Sequence, residues 1–183
     1  MSPHAETRAH KLIGLVGFMG SGKTTVGRLL ARQIGWHFVD LDTLIEERAG
    51  LSIPAIFERL GEPTFREMEY ETLGRVLGEA VERSKPTVLA LGGGTFALPQ
   101  NCALLRNNGC IIVWLHCPLE ELLARCATVT NRPLFRDEAA FRQLYEQRLP
   151  FYEQADHRVE SSAEPRRVVK QILALGILEG VNA

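Results

Sequence analysis

The octapeptide GFMGSGKT, from Gly17 to Thr24, constrains this chain more than any other stretch. It matches GxxxxGK[ST] and follows an apolar, strand-like run from Leu12 to Val16. Behind it Val26, Leu29, Leu30 and Ile34 recur at helical spacing until Gly35 stops the pattern. Strand, glycine loop and helix in that order make a phosphate cradle. Gly17, Gly20 and Gly22 let backbone N–H groups converge on phosphate oxygens, and the helix N-terminus adds its partial positive charge. Gly20, Ser21, Gly22, Lys23, Thr24 and Thr25 are therefore the expected contacts of a nucleotide's phosphates, with Lys23 bridging the terminal phosphates and Thr24 binding magnesium, which leaves a hydrolase, a kinase and a regulatory nucleotide binder open.

The rest of the chain alternates strand-like runs with helical periodicity, which predicts an α/β fold with a parallel sheet flanked by helices. HFVDL from His37, Val88 to Leu91, Cys110 to His116 and HRVES near Val159 join the first run as five strand candidates. Leu119, Leu122, Leu123 and Cys126 share a helix face behind Pro118, and Val168, Val169, Ile172 and Leu173 form the last helix. The longest helical region, about 43–83, is interrupted near Gly50 and Gly61 and is suited to hold a substrate. With 183 residues, no repeat and no low-complexity linker, one domain over residues 1–183 is expected.

The charge balance, 21 basic against 22 acidic residues, argues against a nucleic-acid partner or an electrostatic membrane anchor. MSPHAETRAHK lacks the apolar core of a signal peptide and the apolar runs are strand-length, so a cytoplasmic location is expected. Cys102, Cys110, Cys117 and Cys126 form no CxxC pair and read as buried or half-buried thiols; the five histidines lack zinc-site spacing. No isologous apolar stripe is visible, so a monomer is expected.

The strand run ending at Leu91 poses a question, because many phosphate-loop hydrolases carry a metal-holding aspartate there and this chain carries Gly92, Gly93 and Gly94. FVDLD supplies a substitute. Read as the end of the second strand, it places Asp40 and Asp42 two residues apart and pointing the same way, near the phosphates, although two acids at a helix start also serve as caps. Asp40 then holds magnesium through water, and Asp42 is left to accept a hydroxyl hydrogen bond. In FREME, Arg66 and Glu69 are helix neighbours at i and i+3, so Glu69 can orient the guanidinium. QRLPFY adds Arg148. TVTNRPLFRD, Thr128 to Asp137, adds Arg132 in a segment read as a lid. The guanine-reading NKxD string and the DGxPR string of common nucleoside-monophosphate kinases are both absent.

Taken together, GFMGSGKT, FVDLD, FREME, LGGGT, NRPL and RLPFY, in this order and spacing, resemble the shikimate kinases from about Lys11 to about Leu175. The resemblance implies a three-layer P-loop NTPase fold with a five-stranded parallel sheet and helices on both faces. It implies transfer of the ATP γ-phosphate to the 3-hydroxyl of shikimate, with Mg2+ as cofactor, in aromatic amino-acid biosynthesis. By motif, Asp42 would bind the shikimate hydroxyls and Asp40 would serve the magnesium shell. Arg66 and Arg148 would clamp the carboxylate, for which a planar guanidinium fork suits both oxygens. Gly92, Gly93 and Gly94 would line the acceptor, with bare backbone at Gly93 and Gly94 against the ring. Arg132 would close over the phosphates with the lid, and Arg125 and Pro165 would sandwich adenine. Phe57 and Phe65 match positions that pack near the substrate.

Two rivals stand beside this reading. One is a sensor of the same fold that binds an aromatic acid or acyl nucleotide without phosphoryl transfer; the presence of Lys23, Asp42 and Arg148 speaks against it. The other is a sugar-acid kinase of the gluconate type, against which FREME, LGGGT and RLPFY speak.

Overall fold

The computed structural model describes residues 12–127 and 137–178. Five parallel strands, β1 (Leu12–Val16), β2 (His37–Asp40), β3 (Thr87–Ala90), β4 (Ile111–His116) and β5 (His157–Glu160), form one sheet in the order β2-β3-β1-β4-β5. β1 is central, and the chain crosses from one side of it to the other between β3 and β4. The strand order therefore reverses beside the C-terminal end of β1, where open α/β sheets place their ligands.

Seven helices connect the strands among the described residues: α1 (Lys23–Ile34), α2 (Leu41–Ala49), α3 (Ile53–Glu82), α4 (Pro99–Asn107), α5 (Leu119–Ala127), α6 (Glu138–Tyr152) and α7 (Pro165–Leu173). Alternation along each strand divides the core in two. Ile13, Leu15, Val88, Val113 and Leu115 pack against α1 and α7 on one face. Leu12, Val16, Leu89, Ile112 and Trp114 pack with Ile45, Leu73, Leu77, Leu105 and Phe141 on the other. Both faces are covered, as the strands' near-continuous apolar runs predict.

The expected strand borders move by one residue at β3 and β4, and the second strand is cut short. Asp40 ends β2 and becomes the N-cap of α2, its carboxylate accepting from the Thr43 backbone N–H at 3.3 Å. Leu41 and Asp42 are therefore helical, and the expectation that Asp42 sits on the strand end is corrected: the cap won over continued strand geometry.

α3 carries the acceptor-side arginine and is bent on the way to it. Gly61 (φ 83°, ψ 164°) leaves helical geometry, and Pro63 then sits in the first turn of the second half, where its missing N–H removes no helix bond. Leu73 and Leu77, both fully buried, hold that second half on the sheet, each contributing roughly 1.5–3 kcal/mol. Cys110, Cys117 and Cys126 are buried and Cys102 half-buried; all four are free thiols.

Candidate active site

Two clefts open at the C-terminal edge of the sheet. The first, about 350 Å³, lies over the loop between β1 and α1 and is lined by Gly20, Gly22, Lys23, Thr24, Thr25 and Asp40. Gly20 (φ 83°) and Gly22 (φ 90°) occupy left-handed backbone, which the tight loop demands and other residues resist. Ser21, between them, is buried, and its backbone N–H donates to the Phe18 carbonyl at 3.1 Å. The Lys23 ammonium spans the loop, donating to the carbonyls of Gly17 (2.8 Å) and Phe18 (3.0 Å). The Thr24 hydroxyl donates to Asp40 Oδ2 at 2.6 Å. A hydroxyl and a carboxylate side by side beneath a phosphate cradle are hard oxygen donors, a set that fits magnesium.

The second cleft, about 240 Å³, is lined by Phe57, Phe65, Arg66, Glu69, Gly92 to Gly94 and Arg148. Met19, Asp42 and Gly93 line both clefts, so Asp42 stands at their junction. Burial pushes the Asp42 carboxyl up to about 6; Lys23 opposes that rise, and the carboxylates of Asp40, Glu69 and Glu46 reinforce it.

Arg66 and Glu69 behave as their spacing predicts. Arg66 Nη1 pairs with Glu69 Oε2 at 3.1 Å, and Arg66 also reaches Glu62 Oε1 at 3.1 Å and stacks over the Phe65 ring at 5.1 Å. Glu69 is 1% exposed and does more than its position in FREME announces: it accepts from the Thr95 hydroxyl at 2.6 Å and from Asn101 Nδ2 at 3.4 Å. A buried carboxylate is thus paired and hydrogen-bonded, as burial of a charge requires. The Arg148 guanidinium makes no hydrogen bond or ion pair among the described residues, yet it lies within 3.2 Å of where a Cβ on Gly94 would stand, at the same spot as Arg66. Two guanidinium groups therefore converge at one end of the second cleft, and Phe57 and Phe65, with ring centroids 4.6 Å apart, form a wall of it.

The three glycines turn out to have different reasons. None has positive φ among the described residues, so space and not backbone freedom decides. A Cβ on Gly92 would stand 2.6 Å from Asp42 Oδ1 and 2.9 Å from Thr95 Oγ1, and one on Gly94 would press on both arginines. At these two positions the protein's own side chains occupy the room. Only Gly93, whose nearest neighbour would be the Tyr152 hydroxyl at 3.8 Å, leaves ordinary contact distance for a ligand.

Arg125 donates to the carbonyls of Gly20 (3.1 Å), Ser161 (3.0 Å) and Ser162 (3.3 Å) and pairs with Glu121. It thereby ties the phosphate loop to the segment that leads into Pro165, the first residue of α7. Arg132 and all of the lid segment except Asp137 lie outside the described residues; Asp137 caps α6, accepting from the backbone N–H groups of Ala139 and Ala140. Sequence reasoning quoted Thr95 within LGGGT and Tyr152 within RLPFY without giving either a role, and missed Asn101. The Tyr152 hydroxyl donates to the Gly93 carbonyl at 2.6 Å. The available signals were adjacency to the glycines for Thr95 and helix spacing from Arg148 for Tyr152; Asn101 offered none. A larger cleft of about 400 Å³ along β2, between Arg28, Val76 and Lys85, shares only Asp40 with the phosphate-loop cleft.

Comparison with known proteins follows the same outline. A family model described as shikimate kinase matches residues 19–175. A shikimate kinase of Persephonella marina is 42% identical over 163 residues, which are 88% of this chain and 96% of the relative. A solved shikimate kinase from Acinetobacter baumannii, in complex with shikimate, is 37% identical with a TM-score of 0.83, covering 94% of this chain and 97% of that one. A gluconokinase from Sinorhizobium meliloti, 19% identical with a TM-score of 0.59 over 93% of each chain, shares the fold. The family model's span takes in Lys23, Asp42, Arg66 and Arg148, and the Persephonella relative is matched over nearly its whole length: the chain belongs to the shikimate kinase family.

Proposed function

We propose that this protein transfers the γ-phosphoryl group of ATP to the 3-hydroxyl of shikimate, giving shikimate 3-phosphate and ADP. The observation that carries the reading is the position of Asp42, shared by a cleft over the phosphate loop and a cleft ending in two arginines. A donor phosphate on one side and an anionic, hydroxylated acceptor on the other would meet at that carboxylate.

Phosphoryl transfer asks the protein mainly for alignment and for stabilisation of charge on the transferring group. Gly20, Ser21, Gly22, Thr24 and Thr25 supply the loop and helix N-terminus for the phosphates, and Lys23 supplies the cation. Arg66 and Arg148 receive the acceptor carboxylate, and the ring lies along Gly93 between the arginines and Asp42. Asp42, ionised at neutral pH but with its basicity raised by burial, accepts a hydrogen bond from the attacking hydroxyl and can take its proton. Thr24 and Asp40 are the residues that would hold Mg2+, which when bound neutralises charge on the β- and γ-phosphates. Arg125 and Pro165 are the proposed adenine neighbours; the link from Arg125 to the Ser161–Ser162 carbonyls supports that assignment. Arg132 is assigned to the transferring phosphate by motif alone.

The protein acts as one catalytic domain, a monomer in the cytoplasm, with ATP and shikimate as its partners. No helix among the described residues is long and apolar enough to cross a membrane. An ADP-release assay with magnesium-ATP and either shikimate or gluconate tests the acceptor. Faster turnover with shikimate is expected, and faster turnover with gluconate overturns the assignment.

A further inference from the structure

The two acceptor-side arginines arrive on two different helices, yet each is secured to the glycine loop in the same manner. On α3, Arg66 is followed one turn later by Glu69, which accepts from Thr95. On α6, Arg148 is followed one turn later by Tyr152, whose hydroxyl donates to the Gly93 carbonyl at 2.6 Å. Residues three or four apart share a helix face, so whatever fixes Glu69 or Tyr152 also fixes the arginine above it. Glu69 touches its arginine directly. Tyr152 does not hydrogen-bond Arg148, and its effect has to pass through the backbone it holds.

We infer that Tyr152 is a positioning residue for the acceptor: by holding the Gly93 carbonyl, its hydroxyl fixes both the Gly93–Gly94 peptide plane and the distance between that loop and Arg148. The inference rests on the functional reading given above. A trans peptide is planar, so its carbonyl and the following N–H point in opposite directions. Tyr152 is 1% exposed and draws the Gly93 carbonyl inward; the Gly94 N–H is turned the other way, and it donates to no described residue. Gly93 lines both clefts, and the space beside Gly94 is where the two guanidinium groups converge. Gly94 lines the acceptor cleft and not the phosphate-loop cleft, so a rotation of this peptide falls first on the acceptor surface. Burial raises the Tyr152 phenol well above its ordinary range, which keeps the donor proton in place through neutral and mildly alkaline pH. The ring itself is located independently by Trp114, whose centroid lies 6.0 Å away.

Tyr152→Phe removes the hydroxyl and keeps the ring. The expected result is a rise of about three- to tenfold in the KM for shikimate, the span of one lost hydrogen bond to a buried carbonyl, with the KM for ATP held within about twofold. The change should fall on KM more than on kcat. Tyr145→Phe serves as the control for losing a buried phenol from α6, because its hydroxyl donates to the Cys117 carbonyl and not to the glycine loop; its shikimate KM should stay near the wild-type value. An unmoved shikimate KM in Y152F, a parallel rise for both substrates, or an equal rise in Y145F would each overturn the inference. Should Y152F fail to fold, the wild-type chain can be labelled with 3-fluorotyrosine, since it holds only three tyrosines. The Tyr152 fluorine resonance should then move on adding shikimate and not on adding ADP, and a resonance indifferent to shikimate would overturn the idea. Absence of any shikimate-dependent turnover in the wild type would sink the functional reading itself, whereas wild-type turnover with an unmoved Y152F sinks only the inference.

Discussion

The phosphate-loop side and the arginine side of the site are built on opposite plans. The first is local: residues 17–25 leave one strand, turn and enter one helix, and backbone geometry makes most of the cradle. The second is assembled from α2, α3, α6 and the glycine loop after β3, and it is held by buried polar contacts such as Glu69 with Thr95 and Tyr152 with Gly93. A local site is robust to a change in any one side chain other than those that touch phosphate. A distributed site depends on its tethers, so its parts should fail separately, and Asp42, where the two meet, should fail hardest.

Asp42→Asn is the sharpest test of that division. It keeps the shape and removes the acceptor's charge, so kcat should fall by about 10²–10⁴-fold, the range for loss of a general base, with ATP affinity nearly unchanged. If ATP binding weakened in step with turnover, Asp42 would belong to the magnesium or fold machinery instead.

The two arginines should separate next. Truncating either to Ala should raise the shikimate KM by about 10- to 100-fold, the worth of a charge-assisted hydrogen-bond pair. Thermal unfolding should tell them apart. Arg148 has no hydrogen bond or ion pair to lose among the described residues, so R148A should melt near the wild type. R66A takes the Arg66 partner from the buried Glu69 carboxylate, leaving only the Thr95 and Asn101 hydrogen bonds, and should lose about 1.5–3 kcal/mol. Equal stability in the two variants would contradict the tethered picture of α3.

Asp42 also predicts an opposition between stability and activity. Its folded pKa, about 6, lies above the ordinary 3.8, so the folded state favours the protonated form. Its contribution to stability is therefore lost as pH rises from about 4 through about 6 and stays lost at neutral pH. D42N, uncharged throughout, should be more stable than the wild type at pH 7 by on the order of 1–3 kcal/mol, and equally stable near pH 4. Chemical denaturation at the two pH values measures this directly; a D42N protein less stable at pH 7 would remove the burial argument.

The smallest effect is in the pH profile. kcat/KM for shikimate should drop about tenfold per pH unit below about 6 as Asp42 takes up its proton, while the KM for ATP follows a different curve. Coincident curves for both substrates would place the titration elsewhere.

What could be read in advance follows the same local-against-distributed line. GFMGSGKT was legible because its chemistry is contiguous, and Arg66 with Glu69 because helix spacing makes them neighbours. The five strands and the sheet's two covered faces were legible from apolar runs, although β2 ended earlier than expected because Asp40 caps α2. Asp42 is legible as a site residue in FVDLD, although it reaches the clefts from the first turn of a helix and not from a strand end. The roles of Thr95, Asn101 and Tyr152 were hidden. Their partners stand 26, 32 and 59 residues away in the chain, and no periodicity or local motif encodes which distant carbonyl or carboxylate a buried polar side chain will find. The reasons for Gly92 and Gly94 were hidden too, since the side chains that crowd them come from other elements.

The most direct measurement of the whole account is product analysis after incubation with magnesium-ATP and shikimate, by mass and by phosphorus-31 NMR. The account predicts one ADP released per shikimate that gains a phosphate, with that phosphate on the 3-hydroxyl. ATP binding without shikimate-dependent ADP, or phosphate found on another hydroxyl, would contradict it.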